Sequence, residues 1–165
     1  MVAVELNLAD LLPDPRNARR HTPENIRAIT HALKTVGPGR SLVLDEHNVV
    51  LAGNGVVEAA LAAGFTKVLV LESDGETVVA VRRTGLSDEQ KQILAIADNR
   101  TNELSQWDGA TLRDLLDGLD APKLGFLPDE LARAVRGPVI APDTFAAIDD
   151  VLETEHTCKH CGYEW

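Results

Sequence analysis

Hydrophobic and polar positions alternate from Val4 to Leu8, which predicts a short strand, and Pro13 and Pro15 then break the chain into a loop. Thr22-Pro23 has the form of a helix N-cap followed by proline in the first turn. Ile26, Ile29, Ala32, Leu33 and Val36 follow at helical spacing on one face, and Gly37-Pro38-Gly39 ends that helix. Ser41–Leu44 and Val49–Ala52 are apolar runs around the polar turn Asp45-Glu46-His47-Asn48, the pattern of a hairpin. Gly53-Asn54-Gly55 leads into an alanine-rich helix from Val56 to Ala63, with Gly64 as its C-terminal cap. Val68–Leu71 and Thr77–Val81 read as strands turned at Asp74-Gly75. Ser87-Asp88-Glu89-Gln90 has capping-box form and opens a helix to about Leu104. Two further helices are expected, Ala110 to Leu119 and Pro128 to Val135.

This order predicts an α+β fold, a small mixed β-sheet with surrounding helices and a helical C-terminal extension. The expected units are a domain over residues 1–108, the extension over 109–137, a linker over 138–155 and a tail over 156–165. A hydrophobic share of 44% supports a folded chain, while 4% aromatic residues argues against a base-stacking platform for single strands. No apolar run approaches a membrane span, no signal-peptide layout opens the chain, and Cys158 and Cys161 stand too close together to staple the fold, so a cytoplasmic setting is expected.

Charge redirects the search for partners. The formal net charge of −10 opposes nonspecific DNA binding by the whole chain. Within residues 13–40, however, six basic side chains (Arg16, Arg19, Arg20, Arg27, Lys34, Arg40) face two acidic ones. Residues 108–155 hold four basic against eleven acidic side chains. A compact cationic stretch in an acidic protein suits a small anion such as a nucleotide phosphate; a solvated basic surface is the alternative.

The strongest local feature is LAGNGVVEAALAAG, residues 51–64, where a strand meets Gly53 and Gly55 and then a helix N-terminus. Glycines allow close backbone approach and the helix end attracts anions, so the junction is a candidate phosphate cradle that includes Asn54; a tight ligand-free turn is the alternative. Asn17, Arg19 and Arg20 precede the first long helix, and Arg40 and Ser41 stand at a strand entrance, all candidate phosphate contacts. Asp98 and Asn99 are candidate magnesium ligands beside Arg100, with N-capping, solvation or an ion pair as the plainer readings. Asp98 and Glu58 are the candidate catalytic carboxylates, Glu58 as a general base one turn past the glycines or as an ordinary helix-surface residue. His21 and His31 have no metal-ligand partner nearby in sequence and read as structural or solvent-exposed.

Taken in order, PDPRNARRHTPENI, LVLD, VVLAGN, EAALAAG and DNR resemble the ParB/sulfiredoxin superfamily, specifically its ParB N-terminal-like branch, over about residues 4–108. The resemblance implies a small α+β domain that binds a nucleotide, CTP in chromosome-partitioning ParB proteins, with magnesium; other branches transfer phosphate and some members are described as nucleases. It also implies a DNA-associated system, of phage or mobile-element type, and a homodimer. The chain departs from the pattern after Gly53, where Asn54, Gly55, Val56 and Val57 stand in place of the family's two arginines; Arg40 is a candidate replacement charge. Asp98-Asn99 meets the family's acidic-Asn pair. Sulfiredoxin's catalytic cysteine has no counterpart, and the DNA-reading helix-turn-helix domain of partitioning proteins has none either, so the expected partners are a nucleotide and a DNA-processing protein. A protein-interaction adaptor and a metal-dependent nuclease are the alternative functions.

The tail carries His156, Cys158, His160, Cys161 and Gly162, which resemble one knuckle of a zinc ribbon. Zinc takes four ligands and a full ribbon has a second Cys pair, so a site here calls for a second chain or another partner; free thiols are the alternative.

Overall fold

The computed structural model describes residues 3–117, 119, 121–136 and 156–163. The linker expected over 138–155 lies outside the described residues. Strand β1 (Ala3–Asn7) opens the chain, and a 3-10 turn, Leu8–Asp10, buries Leu8 before β2 (Leu12–Pro13) and β3 (Arg19–Arg20). Thr22 then caps α1 (Pro23–Val36) by accepting the Asn25 amide, as its sequence requires. Strands β4 (Val43–Leu44) and β5 (Val49–Ala52) lead to α2 (Asn54–Ala63) and β6 (Lys67–Leu71). Helix α3 (Asp88–Glu103) starts with the full reciprocal Ser87–Gln90 capping box. Strand β7 (Gln106–Trp107), α4 (Gly109–Leu116) and α5 (Pro128–Arg136) complete the order.

The fold is α+β, but its strands form three small sheets. β1 and β6 make an antiparallel ribbon; β5 lies between β2, parallel to it, and β4, antiparallel to it; β3 and β7 pair antiparallel. Burial of Leu8, Leu11, Ile29, Leu33, Val50, Ala59 and Ala60 in one cluster ties α1 and α2 to the central strands. Val50 is 1% exposed and Ala59 fully buried. Each large apolar side chain so removed from water contributes about 1.5–3 kcal/mol.

Three sequence expectations are corrected. Thr77–Val81 is not a strand: Val78, Val79 and Val81 are exposed, and a β-branched apolar run without a covering face or a partner strand gains little from extension. The run Ser41–Leu44 forms ladder bonds only at Val43–Leu44, where the register shifts against β5. Helix α4 ends at Leu116, not Leu119, because Asp117 turns extended. Among the described residues no helix is long and apolar enough to cross a membrane.

Candidate functional site

Loops and helix ends from four parts of the sequence enclose a cleft of about 270 Å³. Its walls come from the loop before α1, the C-terminal end of α1 with the Gly37–Arg40 turn, the β5–α2 junction and one face of α3. The reasons lie in local contacts. Asn17 accepts the Arg19 amide and donates its own to Asp14, which sets the loop's curl and directs Arg19 toward the cleft. Gly53 adopts φ +103°, and a side chain there would meet Leu42 at 2.5 Å, so only glycine makes the bend into α2. No side chain caps α2, so no capping group offsets the partial positive charge of its first turn. A Cβ at Gly39 would meet Leu94 of α3 at 2.7 Å, so glycine also lets the Gly37–Arg40 turn lie against α3.

At the mouth, Arg40 forks over α3. Its Nε and Nη2 donate to the two carboxylate oxygens of Asp98 at 2.9 and 3.1 Å, and Nη1 donates to Asn102 Oδ1 at 2.6 Å. Both charged side chains remain about two-fifths exposed, so the pair is solvated and weakly held. Opposite, the Arg19 guanidinium lies 4.3 Å over the Trp107 ring, a cation–π contact, and burial pulls its pKa below the ordinary arginine value.

The back of the cleft is a hydrogen-bonded relay. Asn25, fully buried on the apolar face of α1, donates through Nδ2 to the Thr101 carbonyl of α3 at 2.8 Å. Its Oδ1 therefore faces His21 Nδ1 at 2.7 Å, so Nδ1 is the nitrogen that donates to it. A Cβ on Gly55 would meet the His21 ring at 2.5 Å, so Gly55 seats this imidazole.

The sequence-derived candidates thus separate. Asn17, Arg19, Arg40, Gly53, Asn54 and Asp98 all line the cleft. Asn54 spends its amide on structure, donating to the Val50 carbonyl and accepting from the Asp14 amide. Gly55 stands behind His21, Ser41 and Glu58 are exposed and outside the cleft lining, and Arg20 pairs with Asp108. Arg100 pairs with Glu103 at 3.1 Å on the surface. Asn99 is exposed and turns its Nδ2 back to the Ala95 carbonyl. Asp98 faces a guanidinium, and among the described residues no three His, Cys, Asp or Glu side chains gather as a metal site, so this arrangement does not fit a magnesium ion held by the protein alone.

Sequence reasoning missed Asn25, Asn102 and Arg83, whereas His21, expected to be structural or solvent-exposed, is structural. Asn25 was legible as a polar break in the apolar stripe of α1. Arg83, whose guanidinium donates to the Val36 carbonyl at 2.7 Å and to Pro38, fastens the turn that carries Arg40 from a segment without regular structure, and no periodic pattern marks it.

Asp108 joins the extension to this site. It caps α4 by accepting the Thr111 amide at 2.8 Å, and its backbone amide donates to the Ala18 carbonyl. Hydrogen bonds from Thr111, then the charge of Arg20, hold its carboxyl below the usual carboxylate range. In the tail, Cys158 and Cys161 are free thiols; amide hydrogen bonds from Cys161 and then His160 lower the Cys158 pKa.

No family model matches the chain. It is similar to the ParB-like nuclease domain-containing protein YnaK of Escherichia coli (strain K12), 33% identical over 85 residues, which cover 52% of this chain and 86% of that protein. With the α+β architecture and the ordered motifs around the cleft, this similarity makes the chain a member of the ParB-like domain family.

Proposed function

We propose that the cleft binds a nucleoside triphosphate, with its phosphates between Arg40, Arg19 and the first turn of α2. The observation that carries this reading is the convergence of a half-exposed guanidinium fork with an uncapped helix N-terminus on one concave wall. A phosphate group offers Arg40 the same paired oxygen acceptors that Asp98 offers, with more charge, and the exchange costs only a solvated ion pair. The α2 amides add donors and a favourable dipole end. Magnesium, in this reading, travels on the nucleotide's own phosphate oxygens, where it commonly keeps several waters.

A DNA-associated role belongs to the same reading, supported by similarity to a protein whose name carries a ParB-like nuclease domain. The test of nucleotide binding is a thermal-shift and calorimetric screen with CTP, ATP, GTP and ADP plus magnesium. Saturable stabilisation by a triphosphate, lost in Arg40→Ala, is expected. A folded protein with no shift at millimolar nucleotide overturns it and favours the adaptor reading. Metal-dependent DNA cleavage lost in Asp98→Ala, without nucleotide binding, favours a nuclease.

A further inference from the structure

The cleft leaves the C-terminal Cys158-Lys159-His160-Cys161-Gly162 turn unused, and that turn has a particular geometry. The Gly162 amide donates to the Cys158 carbonyl at 2.9 Å, and the Cys158 amide donates to the Tyr163 carbonyl at 2.6 Å, which closes the two cysteines onto one tight turn. Gly162 closes the turn at φ +75°, a left-handed conformation that costs a side-chain-bearing residue strain. Both sulfurs belong to free thiols, Cys161 on the exposed side and Cys158 partly sheltered. Two free thiols three positions apart on one closed turn present two adjacent corners of a tetrahedron to a soft-leaning cation.

Zinc completes such a half-shell with two more ligands. Neither His156 nor His160 joins the two thiols in a three-ligand group among the described residues, and Cys158 and Cys161 are the only two cysteines in the 165 residues. A second copy of the turn, related by a two-fold axis, supplies what is missing: two pairs of thiolates give the closed four-sulfur shell of a structural zinc site. We propose that Cys158 and Cys161 bind zinc shared between two copies of this chain, so that the metal joins the tails of a dimer. This rests on the tail alone and stands or falls apart from the nucleotide reading.

The test uses the full chain, purified reduced and loaded with zinc chloride alone. Zinc content, native mass and cobalt-substituted absorption are then measured. The expected result is one zinc per two chains in a dimer, with a tetrahedral thiolate spectrum, and a return to monomer on chelation. Cys158→Ser and Cys161→Ser are each expected to reduce bound zinc to background and abolish the dimer, while any nucleotide-dependent thermal shift stays unchanged. A monomer carrying one zinc overturns the shared site, and a reduced chain that takes up no zinc overturns the site altogether.

Discussion

At the back of the cleft, Asn25 is fully buried and both ends of its amide are engaged, one on a carbonyl of α3 and one on His21. At the mouth, Arg40 and Asp98 are joined by two charge-assisted hydrogen bonds at 2.9 and 3.1 Å, yet both remain about two-fifths exposed. The difference is what water does when the bond breaks. A buried amide that loses its partner keeps its desolvation cost, so the back relay is fixed and sets the cleft's shape. An exposed ion pair that opens is rehydrated, so the mouth exchanges partners at little cost and is where an incoming anion competes.

Substitutions break this comparison in order of size. Asn25→Ala is expected to be the most damaging, at about 3 kcal/mol, because it empties a buried position and orphans both the His21 nitrogen and the Thr101 carbonyl. Urea denaturation measures it; a loss near zero means the relay is not structural. Gly55→Ala is next, at about 2 kcal/mol, because a methyl group there lies 2.5 Å from the imidazole. Pairing it with His21→Ala is expected to recover part of the loss, which a purely backbone effect of Gly55 does not allow.

Thr22→Ala removes the N-cap of α1 and is expected to cost about 1 kcal/mol. Asp108 contributes a pH-dependent increment. Its folded-state pKa is depressed, so its contribution is present above the ordinary carboxylate value and is lost as pH falls through the folded value. The melting-temperature gap between wild type and Asp108→Asn is therefore expected to be open at neutral pH and to close in acid. Arg40→Ala is the smallest structural effect, expected within about 0.5 kcal/mol of wild type.

The same contrast explains what could be read from the chain beforehand. Helix α1, its Thr22 cap, the Ser87 capping box and the bend at Gly53 follow from local rules, and the structure keeps them. So does the meeting of Arg19, Arg40, Gly53 and Asp98 around one cleft, which the ordered motifs carried. Local rules fail where the deciding partner is distant. Val78, Val79 and Val81 have strand propensity but meet no covering face. Asn25 and Thr101 are 76 residues apart, Arg83 and Pro38 are 45 apart, and neither pair has a period. Gly55 was read as a ligand-facing glycine because spacing alone does not say which glycine carries a neighbouring ring.

The most direct test of the phosphate-binding cleft is calorimetric titration of CTP and ATP with magnesium into wild type, Arg40→Ala and Asp98→Asn. If Arg40 is an exchangeable phosphate ligand that Asp98 holds in reserve, wild type binds a triphosphate. Arg40→Ala then loses binding at unchanged stability, and Asp98→Asn, with the competing carboxylate neutralised, binds at least as tightly. A folded Arg40→Ala protein that binds as wild type does, or a wild type that binds neither nucleotide, contradicts the account.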